Sequence, residues 1–211
     1  MKIALIGASG YVGSALRDEA LARGHQLSGL AGHPEKLPAH PRLTAFKVDV
    51  MNEAALAEKL RGHKLVISAF SGHAQPDVRE YYVEGMKHIL NSTRIAGVPR
   101  LLVVGGAGAL NVAPGVALLD TPNFPKEWKG TAQGARDALT LLQASDLDWT
   151  MLAPSAMLEP GRRTGQFRLG KDDLLVDEKG DSRISIQDYA MAMLNEAELP
   201  RHSRQRFTVG Y

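Results

Sequence analysis

No cysteine occurs in the 211 residues, which excludes disulfides, thiolate nucleophiles and thiolate metal sites together. Neither sign of charge prevails: 25 Lys and Arg stand against 23 Asp and Glu, interspersed, for a formal net charge of +2. No basic stripe of the kind that neutralises a phosphate backbone results, so nucleic acid is not an expected partner. No apolar run approaches the roughly 20 residues needed to span a bilayer, and the stretch before the first glycine of "MKIALIG" is too short for a signal peptide. The expectation is a cytoplasmic protein with no membrane contact. His25, His63, His73 and His88 are scattered without metal-ligand spacing, and no Ser/His/Asp order suggests acyl transfer. No metal site is therefore expected, and no repeat or low-complexity tract marks an array.

What is present is an ordinary globular composition, 44% hydrophobic and 23% charged, long enough for one sizeable core with a smaller appended lobe. Apolar runs of strand length alternate with segments of helical period. The strand candidates are "KIALI" (2–6), "QLSGLA" (26–31), "LTAFKV" (43–48), "KLVISAF" (64–70), "RLLVVG" (100–105) and "DWTML" (148–152), several continuous enough for a sheet buried on both faces. Between them, one helix carries Val12, Leu16 and Ala20 on a face and stops at Gly24. A second runs from Asn52 to Gly62, a third opens at Asp77 with Glu80 three residues on, and a fourth covers roughly 126–145. This alternation implies βαβ units and a doubly wound parallel sheet with helices on both faces.

Three glycines, Gly7, Gly10 and Gly13, sit where the first strand turns into the first helix. Either they serve only a tight turn and a close helix–strand approach, or their missing Cβ atoms let a pyrophosphate reach backbone N–H groups at the helix N-terminus. The position in the first βαβ unit favours the second reading and a Rossmann-type α/β fold. The spacing is G-x-x-G-x-x-G, and the usual fingerprint is G-x-G-x-x-G.

Taken in order, "ALIGASGYVGSAL", "HPEKL", "VDV", "VISAF" and "LLVVGGAGAL" resemble the atypical short-chain dehydrogenase/reductases of the NAD(P)H-binding, NmrA-like branch. "DTPNFPKEW", "SDLDWTMLAPSAMLEPG", "TGQFRLG" and "RQRFTVGY" extend the resemblance nearly end to end, to the bacterial group of candidate NADH-flavin reductases. A more distant likeness is to the biliverdin reductase B type of flavin reductase. The resemblance implies a pyrophosphate turn at Gly7, Ser9, Gly10, Tyr11, Val12 and Gly13, and an adenine border at Asp49 and Val50. It further implies Ala69 and Phe70 beneath the ribose and nicotinamide, Gly105 and Gly106 at the sheet's carboxyl edge, and Pro154 and Ser155 at the carboxamide. From the residues alone, Asp49 is equally a turn or capping aspartate, and Phe70 equally a core residue.

Two departures from the family pattern bear on chemistry. Gly32 stands where relatives commonly carry an arginine for the 2′-phosphate of NADP, and no acidic residue awaits the ribose of NAD there. His33 and Lys36 remain as phosphate partners or as solvated loop residues, which leans the coenzyme slightly to NADP over NAD. The second departure is the missing Tyr-x-x-x-Lys: none of Tyr11, Tyr81, Tyr82, Tyr189 or Tyr211 has a lysine four residues on. On the helix where the pair would lie, Thr131 and Ala135 take its places. Proton exchange with an alcohol or carbonyl by that pair is excluded, which leaves the catalytic residues unassigned. It also argues against epimerase and dehydratase chemistry.

Hydride transfer to a flavin, a quinone or another planar acceptor needs less help from an acid; a flavin would be its substrate. The long loop from Ala107 to Trp128 is expected over the nicotinamide, with Phe124 and Trp128 either as walls of a flat slot or as packing of the loop itself. Of His25, His63, His73 and His88, only His73 is near the expected cleft. The division expected is an NAD(P)-binding segment, 1–154, and a C-terminal substrate lobe, 155–211, packed on the same domain. In that lobe "QFRLG", "LLVD" and "RQRFTVG" are read as strands, with a helix capped at Ser185. Arg162 and Arg163 either meet a flavin phosphate or lie in a solvated turn. The alternative to an NAD(P)H-dependent reductase is a non-catalytic NAD(P) sensor of the NmrA-like type. Monomer and homodimer both remain open.

Overall fold

The structure, a computed structural model, describes every residue except Ala74. In chain order its elements are β1 (Lys2–Ile6), α1 (Tyr11–Ala22), β2 (Gln26–Ala31), β3 (Leu43–Lys47), α2 (Glu53–Leu60), β4 (Leu65–Ser68), α3 (Val78–Ile95) and β5 (Arg100–Val104). There follow β6 (Asn111–Ala113), β7 (Val116–Ala117), α4 (Lys129–Ala144), β8 (Asp148–Ala153), β9 (Met157–Glu159), β10 (Arg168–Gly170), β11 (Arg183–Ser185), α5 (Ile186–Glu198) and β12 (Gln205–Gly210).

An eight-stranded sheet has the order β10-β12-β8-β5-β4-β1-β2-β3. Every neighbouring pair is parallel except β10–β12. Its order reverses between β1 and β4, the switch point of a Rossmann-type α/β fold. The continuous apolar runs are explained by burial on both faces. Ile3, Leu5, Ile67, Leu102, Leu152 and Phe207 pack in one core with residues of α1 and α5. Their alternating neighbours Ala4, Ile6, Val66, Leu101, Val103 and Met151 pack in a second core with residues of α2, α3 and α4. Helix starts follow side-chain chemistry: Asn52, Asp77 and Ser185 each accept from a backbone N–H in the first turn of α2, α3 and α5.

Residues 155–211 add β12 and β10 to the main sheet, and Tyr189, Ala190 and Met193 of α5 share a buried core with Leu16 and Ala20 of α1. Two expectations are corrected. "LLVD" is not a strand: Leu174 N–H donates to the Asn111 carbonyl at 2.8 Å, a single bridge joins Asn111 to Asp173, and the Asp177 carboxylate then turns the chain by accepting from Lys179 and Asp181 N–H. The fourth helix begins at Lys129, because Lys126–Trp128 forms a 3-10 turn after Pro125. The loop before it carries the β6–β7 hairpin.

At the amino edge of the sheet, Arg100 and Glu196 form a buried ion pair that joins β5 to the end of α5. Arg100 Nη2 donates to Glu196 Oε1 at 2.6 Å and to Thr150 Oγ1 at 2.9 Å. Glu196 also accepts from the N–H groups of Arg201 and His202, and His202 Nδ1 lies 2.8 Å from Oε2. Burial would push this carboxyl's pKa up, but hydrogen bonds from His202, Arg201 and Arg100 outweigh it and hold the group below its ordinary value. Its contribution to stability is therefore full above the ordinary glutamate range and is lost as pH falls through the lowered folded-state value. Glu196→Gln leaves the buried Arg100 with only the half-exposed Asp148, 3.6 Å from its Nε, as a charge partner, and is expected to cost about 3 kcal/mol in denaturant unfolding at neutral pH. The same variant is expected to lose less stability than the natural chain on acidification.

Candidate active site

The site begins where β1 ends. Gly7 has φ +79 and donates its N–H to the Leu30 carbonyl at 2.8 Å. A Cβ there would stand 2.6 Å from the Ala69 carbonyl oxygen, and a Cβ on Gly13 would overlap the carbonyl oxygen of Gly7. Both glycines are thus demanded by the protein's own backbone. Gly10 differs: it is exposed, its φ is −78, and a Cβ would sit 3.2 Å from the Gly7 carbonyl oxygen, an accommodation of a few tenths of an ångström.

Gly10 is also the N-cap of α1, with no side-chain cap and no acidic residue in the first turn. The first N–H of the helix to find a helical acceptor is that of Ser14, on Gly10 O at 2.8 Å. The N–H groups of Tyr11, Val12 and Gly13 therefore lack intrahelical acceptors and carry the positive end of the helix dipole. An uncapped helix terminus fronted by an exposed glycine fits the pyrophosphate of a dinucleotide, which needs close backbone approach and positive potential.

Beside this terminus lies a cleft of about 350 Å³ at the switch point. It gathers Gly7, Ser9 and Gly10 with His33, Asp49 and Val50 and with Ala69 and Phe70. The exposed Asp49 carboxylate lines the cleft, and Oδ1 accepts from Met51 N–H at 3.0 Å, the contact of a turn aspartate. Phe70 lines the cleft, stacks on Tyr82 at 5.9 Å and fills the space over Gly85. Of the turn residues outside the lining, Gly13 is buried and Tyr11 is exposed, its hydroxyl donating to the Leu158 carbonyl at 3.2 Å; Val12 packs partly buried against the core. Sequence reasoning missed Lys47, Ser71 and Tyr81, which also line the cleft. The available signal for Lys47 was its place at the end of β3, directly before the "VDV" already read as adenine-facing. Lys36 is not among the lining residues.

Gly105, Gly106, Pro154 and Ser155 follow β5 and β8 at the same carboxyl edge, outside the lining of that cleft. Ser155 is buried and its hydroxyl donates to the Val209 carbonyl at 2.9 Å, so only its backbone is left to offer a ligand. Gly105 N–H is spent on Leu152 O at 2.8 Å. Helix α4 presses on this edge: a Cβ on Gly106 would lie 3.1 Å from Ala135 Cβ, and one on Gly108 would lie 2.5 Å from Ala132 Cβ. The face on which a Tyr-x-x-x-Lys pair was sought is therefore occupied by small residues in close contact.

Two phenols approach the edge from below, Tyr82 near Val104 O at 3.5 Å and Tyr189 on Leu152 O at 2.7 Å. Burial pushes the pKa of both well up, so they stay neutral. His73 and Trp128, outside the lining of the cleft, are exposed and meet edge to face at 6.2 Å. Phe124 is half-buried, and among the described residues it makes no ring contact with that pair. Arg163 donates to Glu19 of α1 through Nε and Nη2 at 2.8 Å each. Among the described residues no group of three His, Asp or Glu side chains could hold a metal ion, and no helix is long and apolar enough to cross a membrane.

A family model described as NAD(P)H-binding matches residues 7–197. A candidate exported protein of Burkholderia pseudomallei has a solved structure that is 42% identical, with a TM-score of 0.90 and full coverage of both chains. A candidate epimerase of Bacteroides thetaiotaomicron is 41% identical at a TM-score of 0.93, covering 100% of this chain and 96% of that one. A candidate NADH-flavin reductase of Streptococcus pneumoniae is 32% identical at 0.88, covering 100% and 99%.

The unequal demands on the glycines separate folding from binding. Gly13→Ala is expected to lower stability by about 1 to 3 kcal/mol, since the backbone must move to admit the methyl group. Gly10→Ala is expected to stay within about 1 kcal/mol of the natural chain while weakening dinucleotide binding about tenfold. Thermal unfolding and coenzyme titration of both variants check the contrast.

Proposed function

The chain belongs to this NAD(P)H-binding family, and on that premise we propose that it is an NAD(P)H-dependent reductase delivering hydride to a flavin, quinone or similar planar acceptor. The observation that carries the reading is the pairing of an uncapped α1 terminus with a small-residue face on α4. The first offers a seat for the coenzyme's pyrophosphate; the second packs Ala132 and Ala135 on Gly108 and Gly106, and α4 carries no tyrosine to serve an alcohol or sugar substrate as proton donor. When bound, the coenzyme supplies the hydride. Everything else asked of the chain is placement and exclusion of water.

The roles divide along the sheet edge. Gly7, Gly10 and the N–H groups of Tyr11, Val12 and Gly13 receive the pyrophosphate. Asp49 and Val50 border the adenine, Phe70 and Ala69 form the floor under the ribose, and Pro154 with the Ser155 backbone meets the carboxamide. An acceptor that delocalises charge over a ring system takes its proton from solvent, so positioning supplies most of the rate. Trp128 and His73, exposed and in edge-to-face contact, offer an aromatic wall for such a ring; Phe124 stands farther along the same loop. The absence of a basic-for-acidic choice at Gly32 favours NADPH slightly over NADH, with both accepted. The same missing proton donor weighs against epimerase chemistry for this chain, whatever its relatives do.

Oxidation of NADPH and NADH followed with FMN, riboflavin and simple quinones tests the reading. Turnover with at least one planar acceptor is expected, and Trp128→Ala is expected to lower kcat/KM for it about three- to tenfold through lost ring contact. Tight coenzyme binding without turnover of any acceptor would overturn the reductase in favour of an NAD(P) sensor.

A further inference from the structure

Lys47 is the last residue of β3 and pairs in register with Ala31, the last residue of β2. In α/β dinucleotide folds that strand end is where the adenosine ribose is read: an acidic side chain takes its 2′-hydroxyl, a basic one its 2′-phosphate. Neighbouring Phe46 packs in the core beneath α2, with Lys59 Nζ 5.2 Å from its ring centroid. By strand alternation Lys47 stands on the other face, where Leu43 and Leu37 pack. It lines the cleft together with Gly32 and His33.

The other polar side chains at this end already have partners. Asp49 accepts from Met51 N–H, and His33 Nδ1 lies 3.0 Å from Glu35 Oε1. Among the described residues Lys47 makes no side-chain hydrogen bond or ion pair, although it faces a cleft that holds a carboxylate. Space is kept beside it: a Cβ on Gly32 would meet nothing within 4 Å, and Gly32 is not among the residues of positive φ. Neither backbone conformation nor packing calls for glycine there, so the opening is available to a ligand group.

We propose that Lys47, together with His33, binds the adenosine 2′-phosphate, so that the chain's choice of NADPH is set from β3 and not from an arginine after β2. The inference rests on the reading that the cleft holds a nicotinamide dinucleotide. A phosphate dianion gains a charge-assisted contact with the free ammonium and replaces Glu35 as the partner of His33. Glu35 and Asp49 both oppose that dianion. Lys47 is the cation that offsets them, and without it this end of the cleft carries the charge suited to a 2′-hydroxyl.

Equilibrium titrations of natural and variant chains with NADPH, NADH, 2′,5′-ADP and 5′-ADP test this independently of any acceptor. Lys47→Gln is expected to raise the Kd for NADPH and 2′,5′-ADP about tenfold, while NADH and 5′-ADP stay within about twofold. Lys47→Arg retains the discrimination, and Glu35→Gln tightens NADPH about two- to threefold, as expected for an exposed charge pair. Equal weakening of all four ligands by Lys47→Gln, or no weakening of any, would overturn the assignment. If the natural chain binds no dinucleotide at all, the coenzyme reading itself falls. Binding of both coenzymes without discrimination at Lys47 removes this inference alone.

Discussion

Helix α1 comes so close to the end of β1 that only a hydrogen atom fits between Gly13 and the Gly7 carbonyl, and Gly7 in turn lies against the end of β4 at Ala69. The rest of the site depends on this contact. It brings the amino end of α1 over the point where the strand order reverses and leaves that end open. The chain turns there without using a side chain as cap, so the first N–H groups of the helix have no capping partner, and Gly10 lines the cleft beside them. Gly10, which neither conformation nor packing strictly demands, keeps the approach to them clear. Two of the three glycines are thus required by the backbone itself, and the third is not.

A second close approach lies on the other side of the switch point. Gly106 and Gly108 lie under Ala135 and Ala132 of α4 with little more than van der Waals space. Small residues on both partners let the helix descend onto the strand end, and the space a phenol or a lysine would occupy is used for packing. The α4 sequence carries no tyrosine, and so no Tyr-x-x-x-Lys pair, on the helix that meets these glycines. Buried Tyr82 and Tyr189 do not substitute for it, since desolvation keeps them neutral and their hydroxyls face backbone carbonyls.

The C-terminal stretch shows how far local pattern reaches. Ser185 as N-cap of α5 and the strand of "RQRFTVG" are local features, and both are present at those residues. "LLVD" has strand-like composition but finds only one partner, Asn111, because the chain has already turned away at Asp177. Arg163 looked like a free loop cation until the fold brought Glu19 to it from 144 residues away. Arg100 and Glu196, unremarkable in the sequence, meet as a buried pair because β5 begins where α5 ends.

By itself the sequence determined the strand–helix alternation, the parallel sheet, the glycine turn and the absence of thiol chemistry. These follow from periodicity, capping and conformational preference within a few residues. Of the cleft's eight anticipated lining residues, all but His33 came from the resemblance to a known family, position by position, and local pattern alone singled out only Gly7 and Gly10 among them. Tertiary structure alone decided which glycines the backbone requires, that Ser155 is spent on Val209, that His73 meets Trp128, and that Lys47 stands beside Ala31 with its charge unpaired. Those relations join residues distant in the chain, and only strand register and helix packing bring their atoms within reach.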